Sequence, residues 1–182
     1  VQSEAPMYVT GAKADAVGLK AKQVKSPRGK IARLRQVKDA HELALLGRAI
    51  DITCSALLEA MASIGPGQFE YEIQATIDYV FMRYGAQRPG FSSIVGSGPN
   101  SCVLHHSANR RRAVKGDLVV LDVGAELFGY TADVTRTVPV SGRFSPRQRE
   151  IYEIVLAAQK AGIAAVRPGV KLRDVHAAAR KV

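Results

Sequence analysis

Two carboxylates and a histidine are the residues of this sequence whose types and spacing could do chemistry together. Asp122 lies in Leu118-Val-Val-Leu-Asp122-Val123, an almost wholly apolar run. A lone carboxylate buried there is expensive unless it is paired, protonated or bound to a cation. Asp133 stands just ahead of a second β-like run, and Phe128-Gly129 between the two reads as a turn. That turn makes Asp122 and Asp133 cross-strand neighbours, side by side or diagonal, able to share one face. Two adjacent carboxylates repel, and a divalent cation between them removes that cost. Their oxygens favour hard or borderline ions such as Mn, Mg or Co. The structural alternative has Asp122 accepting backbone hydrogen bonds while Asp133 pairs with Arg136. Two ligands do not hold a metal tightly, and nothing after Asp133 obviously supplies more.

His105 and His106 are the adjacent histidines, and they follow the glycine-rich segment Gly96-Ser-Gly-Pro-Asn100. Loops of this kind carry functional side chains to clefts, so one of the pair could face a substrate. A core or surface role suits a lone histidine equally well. The neighbouring Arg110-Arg111-Arg112 reads as a solvated charge run. His41 and His176 sit in helical patterns and carry no usable signal.

The elements that must position these residues are legible from local patterns. Asp39-Ala-His-Glu42 is a capping box, and Leu43, Leu46, Ile50, Thr53, Cys54, Leu57, Leu58 and Met61 recur at helical spacing up to Gly65-Pro66-Gly67. Ile73, Ile77, Val80, Phe81 and Tyr84 mark a second helix that Gly85 stops. Short β-like runs follow at 92–95 and 102–105, then a hairpin of 117–125 with 130–140. Ser145-Pro146-Arg-Gln148 starts another helix, with serine as cap and proline at the first position.

An internal echo accompanies these elements. Pro66-Gly67 precedes Glu72-Ile73 and Ala75; Pro168-Gly169 precedes Asp174-Val175 and Ala177, and the offset is 102 residues each time. Taken as real, the echo describes two similar halves, of which the second runs off at Val182, as a truncated chain would.

Composition sets the frame. The chain has 182 residues, 47% hydrophobic and 23% charged, enough to bury a core. No apolar run approaches the ~20 residues that cross a bilayer. The first residue is Val1, which leaves open a targeting segment already removed. Cys54 and Cys102 make no disulfide framework and read as two buried reduced thiols. Of the net charge of +10, residues 1–38 carry +7 and the other 144 residues +3. This basic leader, Ser26-Pro27-Arg28-Gly29 turn included, is expected to be a solvated linker or the remnant of an upstream domain. A basic run can also bind polyanions.

The runs Gly96-Ser-Gly-Pro-Asn-Ser-Cys-Val-Leu-His105, Gly116-Asp-Leu-Val-Val-Leu-Asp122, Gly129-Tyr-Thr-Ala-Asp133-Val-Thr-Arg-Thr137 and Gly142-Arg-Phe-Ser-Pro-Arg-Gln148 resemble the Xaa-Pro aminopeptidase (aminopeptidase P) and prolidase branch of the pita-bread metallopeptidases. The likeness covers roughly residues 31–182. It implies an α+β pita-bread fold, represented by its first αα-ββ half and the start of the second, with 1–38 outside an incomplete catalytic domain at 39–182. It implies that Asp122 is a terminal metal ligand, Asp133 a bridging one, and His105 the histidine lining the cleft beside the scissile bond. Two divalent ions are then expected, manganese first, with cobalt or zinc as alternatives, acting through a two-metal hydroxide mechanism. The resemblance places one further histidine and two glutamates after Val182, so this chain alone is expected to be inactive. The implied substrate is a peptide with proline at its second position. A homodimer and a cytoplasmic location are compatible; membrane and nucleic-acid partners are not expected. The alternative is a peptidase-like module kept for binding. Methionine aminopeptidases and creatinase match less well around His105 and Asp133.

Overall fold

In the computed structural model, residues 26–182 are described in full, together with the backbone of two short strands, β1 (Met7–Tyr8) and β2 (Val24–Lys25), which pair in parallel. The chain divides into two compact units, Val1–Leu45 and Leu46–Val182. Within the first, α1 (Arg28–Gln36) is a nine-residue helix with no buried residue. The sequence patterns of this leader did not announce it, because its Ile31 and Leu34 are exposed and build no buried stripe.

α2 (Ala40–Ser63) opens on the expected capping box: the Glu42 amide donates to Asp39 Oδ1 at 2.9 Å and the Asp39 amide to Glu42 Oε2 at 2.7 Å. Its buried stripe differs from the expected one. Ile50 and Leu58 are exposed, whereas Ala49, Ile52, Thr53, Ala56, Leu57 and Ala60 are buried. Alanines, not the larger residues, let the helix approach its neighbours closely. Thr53 is the polar member of this stripe. Its hydroxyl donates to the Ala49 carbonyl and accepts from the Ala125 amide at 2.9 Å, so no buried polar group is left over there.

α3 (Glu70–Arg83) buries Ile73, Ile77, Val80 and Phe81 on one face. Each such side chain contributes about 1.5–3 kcal/mol by leaving water. Tyr84, expected on that stripe, is half exposed, and Gly85 ends the helix at φ 84°. The sheets follow: β3 (Arg88–Pro89), β4 (Ile94–Ser97), β5 (Leu118–Val123), β6 (Ala125–Leu127), β7 (Tyr130–Thr131) and β8 (Val134–Pro139). β4-β5-β8 form one antiparallel sheet with β5 in the middle, and β3-β6-β7 form another. Burial along β5 alternates: Val119, Leu121 and Val123 enter the core with Val95, Ile73, Ile77 and Phe81, so Asp122 points to the opposite face.

Phe128 (φ 51°) and Gly129 (φ 84°) make the turn between β6 and β7, both left-handed as a two-residue hairpin of the I′ kind requires. α4 (Pro146–Ala165) is capped as expected, the Gln148 amide donating to Ser145 Oγ at 3.2 Å and the Ser145 amide to Gln148 Oε1 at 2.9 Å. It forms a helical hairpin with α5 (Leu172–Arg180), where Gly162 lies against Val175 and Ala179. α3 and α5 begin 102 residues apart, and Gly67 and Gly169 are both left-handed, at φ 95° and 82°. The sequence echo is thus a repeated helical hairpin.

Two expectations are corrected. Residues 102–105 are no strand: a 3-10 helix, Gly98–Cys102, is followed by turns closed by Val103 N to Asn100 O and His106 N to Val103 O. Gly98 at φ 52° and Pro99 favour that tight path. Cys102 consequently lies exposed on it, while Cys54 is half-buried; both are free thiols.

Candidate metal and substrate site

Three separate pieces of chain bring the three singled-out residues to one open cavity of about 510 Å³, lined by His105, Asp122 and Asp133 with Phe91, Ser92, Ile94 and Ser107. Asp122 comes from the middle strand. β5 pairs with β8 so that Asp122 faces Thr135 and Val123 faces Val134. Asp133, directly before β8, is therefore the diagonal neighbour of Asp122 on the same face. Gly124 makes this approach possible: a Cβ built there would lie 1.7 Å from the Ala132 carbonyl oxygen and 2.9 Å from Phe91 Cε1.

The electrostatics are those of crowded carboxylates. Loss of solvent, then the negative charge of Asp122 and a side-chain hydrogen bond shared with it, hold Asp133 above its ordinary pKa. Asp122 Oδ1 is buried and has no hydrogen-bond partner. The Asp133–Arg136 pair considered from sequence is not formed, the Arg136 guanidinium donating instead to the Thr135 carbonyl. An orphaned, hard oxygen beside a second carboxylate fits part of a divalent-cation site. Among the described residues, no group of three or more His, Cys, Asp or Glu side chains is placed to hold a metal.

His105 enters the cavity from the loop between β4 and β5, in a left-handed conformation at φ 57° that is uncommon for a residue with a Cβ. His106 turns the other way, its Nε2 lying 3.2 Å from the Glu70 carboxylate. The arginine run is not simply solvated. Arg111 donates to Ser97 Oγ and pairs with Asp117, and Arg112 donates to the Gly67 carbonyl and lies over the Phe69 ring. Asp117 falls below its ordinary pKa: burial raises it, but the hydrogen bond from Arg111, the Val114 amide and the Arg111 charge outweigh that.

Glu70 is the residue that sequence reasoning missed. It is fully buried and accepts from Ser97 N and Oγ, both at 2.7 Å, from Asn100 Nδ2 at 3.0 Å and from Arg111 N at 2.9 Å. Burial pushes its pKa up, but the Ser97 and Arg111 amides and the Ser97 and Asn100 side chains more than offset it and leave it lowered. A signal existed: Glu70 shares the helical spacing of Ile73, Ile77 and Phe81, an acidic residue on an apolar stripe.

The profile of metallopeptidase family M24 matches residues 44–182. An Xaa-Pro aminopeptidase of Escherichia coli (strain K12) is 44% identical over 142 residues, covering 78% of this chain and 32% of that protein. An Xaa-Pro dipeptidase of Pyrococcus furiosus is 38% identical over 149 residues, covering 82% of the chain and 42% of that protein. Among solved structures, proline aminopeptidase P II from Yersinia pestis superposes with a TM-score of 0.86 at 36% identity, covering 92% of this chain and 43% of its own. The chain thus spans between about a third and two fifths of the length of these relatives. Among the described residues no helix is long and apolar enough to cross a membrane.

Proposed function

The chain belongs to metallopeptidase family M24 and has its α+β pita-bread fold, and from that premise we propose that it carries the first part of the active site of an Xaa-Pro peptidase. The substrate is a peptide with proline at the second position, and the bond cut is the one before that proline. What carries the reading is the convergence of His105, Asp122 and Asp133 on one cavity, with a buried Asp122 oxygen left without a protein partner. Relatives named Xaa-Pro aminopeptidase and Xaa-Pro dipeptidase support the substrate class.

Asp122 and Asp133 are the residues that would hold divalent ions, and manganese, cobalt or zinc bound there would supply Lewis-acid polarisation and an activated water. The chain's own residues do the rest. Asp122 and Asp133, fixed by the β5–β8 register, offer acceptor oxygens on one face of a rigid sheet. His105 projects from its loop to donate a hydrogen bond to the peptide carbonyl beside the bond being cut, which orients the substrate. Phe91 and Ile94 supply apolar wall against which a proline ring can pack. Residues 39–182 then form part of a catalytic domain, and 1–38 a basic linker or the remnant of an upstream domain.

Two carboxylates do not retain a pair of ions. The isolated 182-residue chain should accordingly bind manganese weakly and leave Xaa-Pro peptides uncut. The test is hydrolysis of an Xaa-Pro-Xaa peptide and its Xaa-Ala-Xaa counterpart by the full-length protein with manganese supplied. Wild type should cut only the first, and Asp133→Asn should abolish that cleavage. A wild-type protein that cuts neither peptide, while still binding peptide, would point to a binding module instead.

A further inference from the structure

The loop that carries His105 contains one short 3-10 helix, Gly98–Cys102, and no strand, yet it keeps His105 in a left-handed conformation at the cavity wall. Its fixings are polar and buried. On the near side of His105, Glu70 Oε1 accepts from the Ser97 amide, the Ser97 hydroxyl and Asn100 Nδ2. On the far side, Glu70 Oε2 accepts from the Arg111 amide and meets His106 Nε2 at 3.2 Å. One carboxylate thus ties both flanks of the loop to the first turn of α3, and the next residue after His105 is one of the ties.

A second buried side chain completes the fixing. Asn109, left-handed at φ 47°, accepts from the Val95 amide at 3.1 Å and donates to the Ser93 carbonyl and Gln74 Oε1, both at 2.8 Å. It binds the loop to β4 through Val95 and, through Gln74, to the same helix α3 that Glu70 anchors.

We propose that Glu70 is a positioning residue, whose buried carboxylate clamps both flanks of the 97–111 loop and so sets where the His105 imidazole stands in the cavity. The chemistry of the clamp demands a carboxylate, not merely a side chain of that size. Both oxygens accept backbone amides, Ser97 N on one and Arg111 N on the other. Glutamine is isosteric but has one oxygen and one NH₂ group, so one of those amides would face another donor. A role confined to filling space would tolerate glutamine; a clamp would not.

The role in catalysis rests on the peptidase reading, but the placement of His105 does not, and the test separates them. The first measurement is the imidazole signal of His105 in this chain labelled with ¹⁵N-histidine, identified by its disappearance in His105→Gln. Glu70→Gln, checked by circular dichroism for an intact fold, should shift that signal or broaden it beyond detection. Asn100→Ala and Ser97→Ala each remove one donor while keeping both amide bonds, and should move it the same way by less. If Glu70→Gln does not fold, those two variants decide. A His105 signal left unmoved in every folded variant overturns the inference.

The second measurement is turnover by the full-length peptidase. A displacement of about an ångström costs on the order of 10²-fold in rate, so Glu70→Gln should lower kcat by about that factor while KM stays within about twofold. Unchanged kcat in a folded variant overturns the catalytic role. A wild-type protein without peptidase activity, combined with a displaced His105 signal in Glu70→Gln, upholds the clamp and removes only the peptidase reading.

Discussion

Gly124→Ala is the substitution whose outcome the geometry specifies most sharply. Gly124 is buried at the junction of β5 and β6, and an added Cβ would meet the Ala132 carbonyl oxygen at 1.7 Å and the carbonyl carbon at 2.6 Å. Both are backbone atoms, so no rotamer change relieves the contact. Residue 132 has to retreat by over an ångström, and it is the residue preceding Asp133. The core behind β5 is close-packed, with Leu121, Val123 and Ala125 all fully buried. Overpacking of this kind costs about 3 kcal/mol or somewhat more. For a chain of this size that lowers Tm by roughly 6–12 °C.

Two other glycines calibrate the measurement. At Gly90 the added Cβ meets Thr131 Cγ2 at 2.0 Å, Oγ1 at 2.6 Å and Cβ at 2.8 Å; the γ atoms can rotate but the Cβ cannot, so the cost should be appreciable yet smaller than that of a backbone carbonyl at 1.7 Å. At Gly47, inside α2, nothing lies within 4 Å, and alanine should stabilise by about 0.5–1 kcal/mol. The chain has no tryptophan, so urea unfolding is followed by far-ultraviolet circular dichroism. The expected order of stability is Gly47→Ala, wild type, Gly90→Ala, Gly124→Ala. A Gly124→Ala protein within about 1 kcal/mol of wild type would refute the argument that backbone contact dominates there.

Phe128 occupies a left-handed turn position at φ 51° and is 63% exposed. Phe128→Asn should therefore stabilise by about 1 kcal/mol, since asparagine tolerates that conformation; a loss of stability in the same urea titration would contradict it. Acid should destabilise the fold through Glu70 and Asp117, both held below their ordinary values. A carboxylate depressed in the folded state stabilises above its unfolded pKa, and that contribution vanishes as pH falls through the folded value. The unfolding midpoint should hence be flat above about pH 5, fall below about pH 4, and fall less steeply in Asp117→Asn. A midpoint that rises on acidification would reverse the assignment.

Local signals in the sequence determined a good deal here. The capping boxes at Asp39 and Ser145, the stop at Gly85, the Phe128-Gly129 turn and the repeated Pro-Gly hairpins all involve partners a few residues apart. Such interactions form wherever the chain happens to be, so their residues can be read in order. The same holds for Asp122 and Asp133 as cross-strand neighbours, because a tight turn leaves a hairpin little freedom, whereas the choice of diagonal over side by side came with the observed β5–β8 register.

Only the tertiary structure decided what lies far apart in sequence. Glu70 meets Arg111 and Thr53 meets Ala125 because strands and helices pack in one arrangement. Polar residues such as Glu70 and Arg111 look solvated in a sequence, since their burial depends on donors and acceptors that distant segments deliver. Residues 102–105, within the loop at 98–106, looked like a strand for a related reason. The loop's amides and side chains bond to Glu70, to Asn109 and to each other rather than to a neighbouring strand, and local propensity does not carry that choice.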